Sequence, residues 1–167
     1  FVSGYHDNFE YINALAKSIK NHEFYGKQDK LVFSYHGIPK KYFDEGDPYH
    51  CFCQKTSRLV AEALGLEENQ YITSFQSRLA AAGREWLKPY TSELMEKLPK
   101  EGVKKILILS PGFSMDCLET IEEIDEENKE IFLDSGGEVF HYIACLNDNN
   151  EHVEAINNLI TNKISQL

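Results

Sequence analysis

The sequence predicts an α/β fold: a doubly wound, Rossmann-like layer in which a four-stranded parallel sheet carries helices on both faces. Helical and extended patterns alternate along the whole chain, which is typical of such folds. The clearest strand, residues 105–109, is almost entirely apolar, and most of the other strands are similar. Since a strand with one solvated face would alternate apolar and polar residues, we expect these strands to lie between two helical layers.

The first half of the chain contains two predicted helices and two predicted strands. Apolar residues from Phe9 to Ile19 recur at helical spacing, which predicts a helix over 7–22 with Asp7 or Asn8 as its N-cap. Residues 31–35 predict a short strand that ends at a turn over 36–39. A polar loop follows, then a helix near 54–64 that ends at Gly65 and a second strand over 71–75.

The second half repeats this alternation. A helix is predicted around 91–100, and the strand over 105–109 ends at a Ser-Pro-Gly turn. A long acidic helix is predicted from about 116 to 133, before Gly136 and Gly137. A fourth strand over 139–143 and a final helix over 151–164 complete the layer.

Composition limits the classes of partner. The 167 residues suffice for one domain with a core, and the net charge is −10. Nucleic-acid binding needs a dense basic surface, which the sequence lacks, so no nucleic-acid partner is expected. Anionic membranes are disfavoured for the same reason, and no apolar stretch is long enough to span a bilayer. We therefore expect a soluble, cytoplasmic domain with at most peripheral membrane contact.

The four cysteines, Cys51, Cys53, Cys117 and Cys145, are expected to be reduced thiols. One close pair and two distant single residues match no zinc ribbon or finger. An iron–sulfur cluster with four cysteine ligands is a weak alternative.

Three loops are candidates for a functional site. No glycine-rich phosphate-binding motif follows any strand, so nucleotide binding loses support. In doubly wound folds, ligands lie beyond the carboxyl ends of the strands. Those ends carry His36, the segment Gln76-Ser77-Arg78 and the segment Pro111-Gly112-Phe113. Polar and aromatic residues of this kind are unusual for simple connections.

His36 directly follows an apolar strand and precedes a Gly-Ile-Pro turn. A single histidine is often structural, and that interpretation stays open at this point. Its place at the carboxyl end of a strand favours a second interpretation, in which the imidazole is a metal ligand or a proton acceptor near neutral pH.

An acidic row follows the third strand. Glu119, Glu123 and Glu127 recur every four residues and so lie along one helix face with a slow drift, while Leu118, Ile121 and Ile124 are expected to form a separate packing side. A plain solvated face would explain this row. The alternative is a series of weak oxygen ligands that starts at the same sheet edge as His36, a set that suits ferrous iron.

Aromatic and polar residues flank the loop after the second strand. Gln76, Ser77 and Arg78 precede it, and Trp86, the only tryptophan, follows it. Trp86 is either a packing anchor or part of a binding surface. A flat apolar ligand with carboxylate groups would need this combination of rings, hydroxyls and guanidinium.

Together and in this order, these motifs resemble the ferrochelatase family over nearly all of the chain. Six segments carry the resemblance: Ser34-Tyr35-His36-Gly37-Ile38-Pro39, Gly46-Asp47-Pro48-Tyr49, Phe75-Gln76-Ser77-Arg78, Trp86-Leu87 with Pro89-Tyr90-Thr91, Pro111-Gly112-Phe113, and Asp116-Cys117-Leu118-Glu119-Thr120. The resemblance implies a chelatase-like fold. It implies a single domain over residues 1–167, similar to the C-terminal half of a two-domain bacterial protoporphyrin ferrochelatase.

The resemblance also implies roles. It gives His36 the role of metal ligand or acceptor of pyrrole protons, Glu119 that of the carboxylate at the metal, and Asp116 that of orienting the site. It implies that Glu123 and Glu127 conduct iron along a helix with a wider, π-type turn, which would align the carboxylates. Porphyrin-pocket positions implied in the same way are Phe113, Ser77, Gln76, Arg78 and Trp86.

The implied reaction is insertion of ferrous iron into protoporphyrin IX, in the last step of haem biosynthesis. The substrates would be Fe²⁺ and a porphyrin, with no organic cofactor expected and an iron–sulfur cluster unfavoured.

Two departures from the family pattern matter. The stretch over 79–85 is longer and richer in alanine than the loop that precedes the tryptophan in the family. Ferrochelatases are also about twice this length, so the missing N-terminal domain is an expected partner and the isolated chain should turn over weakly or not at all. The alternatives are a half-length homodimeric cobalt or tetrapyrrole chelatase and a non-catalytic tetrapyrrole- or metal-binding module.

Overall fold

The fold is a parallel sheet between two helical layers. The computed structural model describes residues 2, 4–78 and 83–165. Four strands, β1 (Lys30–His36), β2 (Tyr71–Gln76), β3 (Lys105–Leu109) and β4 (Val139–Ile143), pair in the order β2-β1-β3-β4, all in parallel. The predicted fold class is thereby confirmed.

Seven α-helices and a π-helical segment surround the sheet in the described part of the chain. The α-helices are α1 (Phe9–Lys20), α2 (Lys40–Asp44), α3 (Tyr49–Leu64), α4 (Thr91–Lys97), α5 (Leu118–Thr120), α6 (Lys129–Asp134) and α7 (Asn150–Ile164). The π-helical segment, Ile121–Asn128, joins α5 to α6. Short 3-10 turns lie at Glu68–Gln70 and Leu98–Glu101.

Each face of the sheet buries its own apolar cluster. Side chains of β1 alternate between the clusters: Leu31 and Phe33 pack with α1 and α3, whereas Val32 packs with α4, α6 and the π-helical segment. The central strands β1 and β3 are therefore apolar on both sides, which explains why their sequences do not alternate. Helix α7 packs on α1, on the first of these faces.

Several element bounds differ from the sequence-based prediction. Residues 40–44 form the short helix α2, although the polar composition predicted a loop there. Helix α3 begins at Tyr49 rather than near residue 54, and the helix predicted over 91–100 ends as an α-helix at Lys97 and continues as a 3-10 turn. The acidic helix begins at Leu118, two residues after the predicted start.

The packing side predicted for the acidic helix is wrong for two of its three residues. Ile124 is fully buried, but Leu118 is 74% exposed and Ile121 is 51% exposed. The cause is position: Leu118 faces the cleft beyond the carboxyl edge of the sheet, and the residues of this stretch that turn inward are Thr120 and Ile124, both fully buried. The alanine-rich stretch noted above lies partly outside the described residues, because 79–82 are not among them. No described helix combines the length and the apolar character needed to cross a membrane.

Candidate active site

A cleft of about 590 Å³ opens at the carboxyl edge of the sheet. Here the last residues of β1 and β2, His36 and Gln76, are paired neighbours in the parallel register. The cleft is lined by His36, Ser77, Arg78, Trp86, Leu118, Glu119, Glu122, Glu123 and Glu127. The imidazole and the acidic row, far apart in sequence, therefore meet at one edge of the sheet, as the strand assignments predict.

His36 presents one free ring nitrogen. Its Nδ1 lies 2.7 Å from the carbonyl oxygen of Gly37, which can only accept, so Nδ1 carries the proton. The neutral ring then has its lone pair on Nε2, the nitrogen that can take a proton or bind a metal. The backbone is fixed as well, because the Tyr49 hydroxyl donates to the His36 carbonyl at 2.8 Å. The Phe113 ring lies beside the imidazole, with ring centroids 6.3 Å apart.

Glu119 is held in its ionised form. A hydrogen bond from the Cys117 thiol is the main reason that the pKa of the Glu119 carboxyl lies below its ordinary value, and its own backbone N–H and the nearby His36 act in the same direction. The same contact with Glu119 joins desolvation in raising the pKa of Cys117. Glu119 is therefore an anionic carboxylate in the same cleft as the imidazole.

Glu123 is clamped by the neighbouring loop. Its Oε1 accepts from the Ser77 backbone N–H at 2.6 Å, and its Oε2 accepts from the Ser77 hydroxyl at 2.8 Å. Ser77 adopts a left-handed backbone conformation, with φ of 61°, that aims both donors at this carboxylate. Such a conformation is costly for a residue other than glycine and persists only where the surroundings impose it.

The acidic row begins on α5 with Glu119, and Glu123 and Glu127 continue it along the π-helical segment, Ile121–Asn128, as the resemblance implies. In a π-helix the backbone bonds skip to the fifth residue, so each turn is wider than in an α-helix. Two residues that are four apart in the sequence are therefore rotated less from one another around the helix axis. Glu119, Glu123 and Glu127 accordingly all line the same cleft.

Asp116 lies beneath the start of this helix rather than in the cleft lining. Burial would raise the pKa of its carboxyl, but hydrogen bonds from Asn147, Tyr142 and Cys145 outweigh burial and hold that pKa below its ordinary value. Tyr142 donates at 2.7 Å and Asn147 at 2.8 Å. With its oxygens occupied, Asp116 is placed to brace the helix start and not to touch a ligand.

The remaining predicted pocket residues take different positions. Arg78 lines the cleft, stacks over the Tyr90 ring at 4.1 Å and pairs with Glu93 at 3.2 Å. Trp86 lines the cleft as well but is only 8% exposed, so it is a packing anchor and a wall at once. Gln76 is buried behind the cleft.

The residues predicted to be metal ligands are spread out along the cleft. Within the ranges 4–78 and 83–165, no three His, Cys, Asp or Glu side chains form a cluster that could hold one ion together. The four cysteines are free thiols, with Cys51 exposed and Cys53 buried.

Sequence reasoning missed the residues behind this row. Cys117, Asn128 and the buried hydroxyls of Ser34 and Ser110 all contact the acidic helix or its anchors. One signal was available: a serine inside an otherwise apolar strand, as at Ser34, needs a buried partner.

The fold and the cleft together define an α/β domain of the chelatase-like class. A ferrochelatase family model matches residues 1–164. The chain is 54% identical over 165 residues to a ferrochelatase of Marinobacter nauticus, covering 98% of the chain and 44% of that protein. It is 52% identical to a ferrochelatase of Idiomarina loihiensis, again over 98% of the chain and over 45% of that protein.

The chain therefore belongs to the ferrochelatase family. A ferrochelatase of Hydrogenovibrio crunogenus is a third relative, 54% identical over 96% of the chain and 42% of that protein. The chain thus spans about half the length of the curated relatives that it matches.

Proposed function

We propose that this chain supplies the metal-side half of a ferrochelatase active site, which inserts ferrous iron into protoporphyrin IX in the last step of haem biosynthesis. The observation that carries the proposal is that His36 and Glu119 line one cleft in a chain of this family. An imidazole with a free lone pair opposite an ionised carboxylate is the equipment that metal insertion requires.

The reaction asks for two things of these residues. Two pyrrole protons must leave the porphyrin before the ring can hold iron; Nε2 of the exposed His36, which the tautomer leaves open, accepts one and releases it to solvent before it accepts the second. Glu119, with its lowered pKa, stays anionic and stabilises the incoming Fe²⁺. Asp116 orients the helix start, while Glu123 and Glu127 extend the carboxylate row along which the substrate metal arrives.

The porphyrin is proposed to lie over the other wall of the cleft. Trp86 and Phe113 offer aromatic surface, Ser77 lines the same wall, and the Arg78 guanidinium is the cationic group there that can meet a carboxylate of the porphyrin. Gln76 supports this wall from behind. The exposed side chain of Leu118 adds apolar surface to the cleft, which suits a large flat ring.

A second domain is proposed to close the cleft, since the relatives are about twice as long. The isolated chain would then bind substrates poorly and turn over weakly. We further propose a cytoplasmic location with at most peripheral membrane contact, supported by the net charge of −10, which disfavours anionic lipid surfaces.

Porphyrin metallation by the intact protein, followed by porphyrin fluorescence with Fe²⁺ or Zn²⁺, tests this function. His36→Ala should abolish metallation because it removes the proton acceptor. Glu127→Ala should mainly raise KM for the metal, because it removes the outermost carboxylate of the row. His22→Ala, which removes an imidazole outside the cleft, is the matched control and should leave the rate within twofold of wild type. Full activity of His36→Ala would refute the site assignment.

The family match does not favour the two alternative functions, and each of them predicts a different result. A homodimeric cobalt chelatase would form a symmetric dimer and metallate a corrin precursor. A binding module would quench Trp86 fluorescence on adding porphyrin but never metallate it.

A further inference from the structure

A cluster of buried polar side chains lies directly behind the cleft. Gln76, the last residue of β2, is 3% exposed and is not part of the cleft lining. Hydroxyl-bearing side chains surround it, all of them nearly or fully buried: Ser34, Ser74, Thr91 and Ser110. Burying such a group is costly unless it has a hydrogen-bond partner, so the partners in the cluster indicate which group donates and which accepts.

The Gln76 side chain has one possible orientation. Its Nε2 donates to the Glu119 carbonyl oxygen at 2.5 Å, and because that oxygen can only accept, the amide nitrogen has to face it. Its Oε1 then points away from the helix and accepts from the hydroxyls of Ser34 at 2.7 Å and Ser110 at 3.2 Å. The amide thus links the ends of β1, β2 and β3 to the acidic helix.

Further hydroxyl groups support the residues that contact Gln76. The Thr91 hydroxyl bonds to Ser34 at 2.8 Å and to Ser74 at 2.9 Å, so α4 is joined to the same network. Ser74 touches neither Glu119 nor Glu123 in the hydrogen bonds of the described residues. It belongs to the scaffold but not to the bonds that reach the carboxylates.

The network ends on the two inner members of the acidic row. Gln76 Nε2 lies 3.5 Å from Oε2 of Glu123, the carboxylate that Ser77 clamps. From the other side, the Asn128 amide donates to the Glu123 carbonyl at 2.6 Å. The Gln76 amide therefore fixes the backbone of Glu119. The Asn128 amide fixes the backbone of Glu123, and Ser77 fixes its carboxylate.

We propose that Gln76 is a positioning residue for metal delivery, which sets the directions in which Glu119 and Glu123 present their carboxylates to the substrate metal. This inference rests on the proposed function. Groups that orient metal ligands without touching the metal typically change metal affinity or activity about tenfold to a hundredfold when they are removed.

Gln76→Met in the intact protein tests the role, since methionine has a similar length but no donor. The KM for Fe²⁺ or Zn²⁺ should rise about tenfold, while the Kd for porphyrin, read from Trp86 quenching, should stay within twofold. Gln76→Leu, which also removes the donor, should show the same split and serves if the methionine variant folds poorly. Ser74→Ala is the matched control and should lower Tm without changing the KM for metal.

The binding of Co²⁺, followed by its visible absorbance, separates this inference from the function on which it rests. Wild-type protein that binds Co²⁺ but never metallates porphyrin would refute the proposed function, and a weaker Co²⁺ Kd in Gln76→Met would still support the role of Gln76. A Gln76→Met variant that only loses Tm, with KM for metal and Co²⁺ Kd unchanged, would overturn the inference. So would wild-type protein that does not bind Co²⁺ at all.

Discussion

At the scale of single residues, the cleft is defined by which lone pairs are left free. His36 donates from Nδ1 to the Gly37 carbonyl, which leaves the Nε2 lone pair free. The Glu123 carboxylate oxygens accept hydrogen bonds from Ser77. The Asp116 carboxylate accepts hydrogen bonds from a tyrosine hydroxyl, a side-chain amide and the backbone. Nε2 of His36 and the lightly bonded Glu119 carboxylate are the most open electron-pair donors in the cleft, while each Glu123 oxygen keeps one lone pair beside its bond to Ser77.

Asp116→Asn should lower the free energy of unfolding by about 2 kcal/mol at pH 7, because it removes a charged acceptor of several hydrogen bonds. The folded-state pKa of Asp116 lies below the ordinary value of 3.8, so its ionisation stabilises the fold above that pH, and this contribution is lost as pH falls through the folded pKa. The difference between wild type and variant in urea unfolding should therefore shrink below about pH 4.

Asp134→Asn, at an exposed carboxylate at the end of α6, is the control and should match wild type at every pH. If the stability difference between wild type and Asp116→Asn stayed constant from about pH 7 to about pH 3.5, the shape of the side chain and not its charge would stabilise the site.

What the sequence reveals at this scale depends on where a residue falls in an element. His36 and Glu119 were predictable because each stands where a strand or a helix boundary could be recognised. The burial of Gln76 was not, since its partners Ser34 and Ser110 lie 42 and 34 residues away along the chain and only the finished sheet brings them together. The bracing position of Asp116 likewise depends on Asn147, 31 residues further on.

At the scale of elements, the π-helical segment decides the site. An acidic residue every fourth position fits an α-helix equally well, so spacing alone could not predict the wider turn, and only the resemblance implied it. Helix α2 escaped prediction for a related reason: its five residues carry no apolar period and bury no side chain. The equally short β3 was predicted to the residue, because it is almost entirely apolar and buried.

The junction between α6 and β4 depends on a glycine. A Cβ added at Gly137 would overlap Cε1 of Phe132, whose ring is fully buried on α6. Gly137→Ala should therefore lower the free energy of unfolding by about 1–3 kcal/mol, the usual cost of overpacking a core. Urea unfolding measures this loss.

A double variant provides the control for that prediction. Phe132→Leu opens space next to residue 137, so Phe132→Leu with Gly137→Ala should lose less stability than the sum of the two single losses. Strict additivity would show that the alanine is destabilising for a reason other than contact with this ring.

At the scale of the whole molecule, the two core faces and the edge cleft have separate tasks. Both faces are apolar and were predictable in kind, but the strand order β2-β1-β3-β4 was not, because it depends on which edge each crossover takes. The exposed Leu118 and Ile121 follow from the same cause: they extend past the sheet edge, where sequence periodicity cannot distinguish core from cleft rim. Charge also acts at this scale, since the chain carries −10 overall and four glutamates line the cleft.

This charge should steer the cationic substrate. At saturating porphyrin, kcat/KM for the metal in the intact protein should fall several-fold as salt rises from about 20 mM to about 200 mM, because screening shortens the reach of the acidic row. Glu127→Gln should lower kcat/KM at low salt and flatten this dependence. Glu68→Gln removes the same charge just before β2 begins, at the opposite end of the sheet, and should change neither quantity. Equal effects of the two substitutions would show that net charge, and not the row in the cleft, attracts the metal.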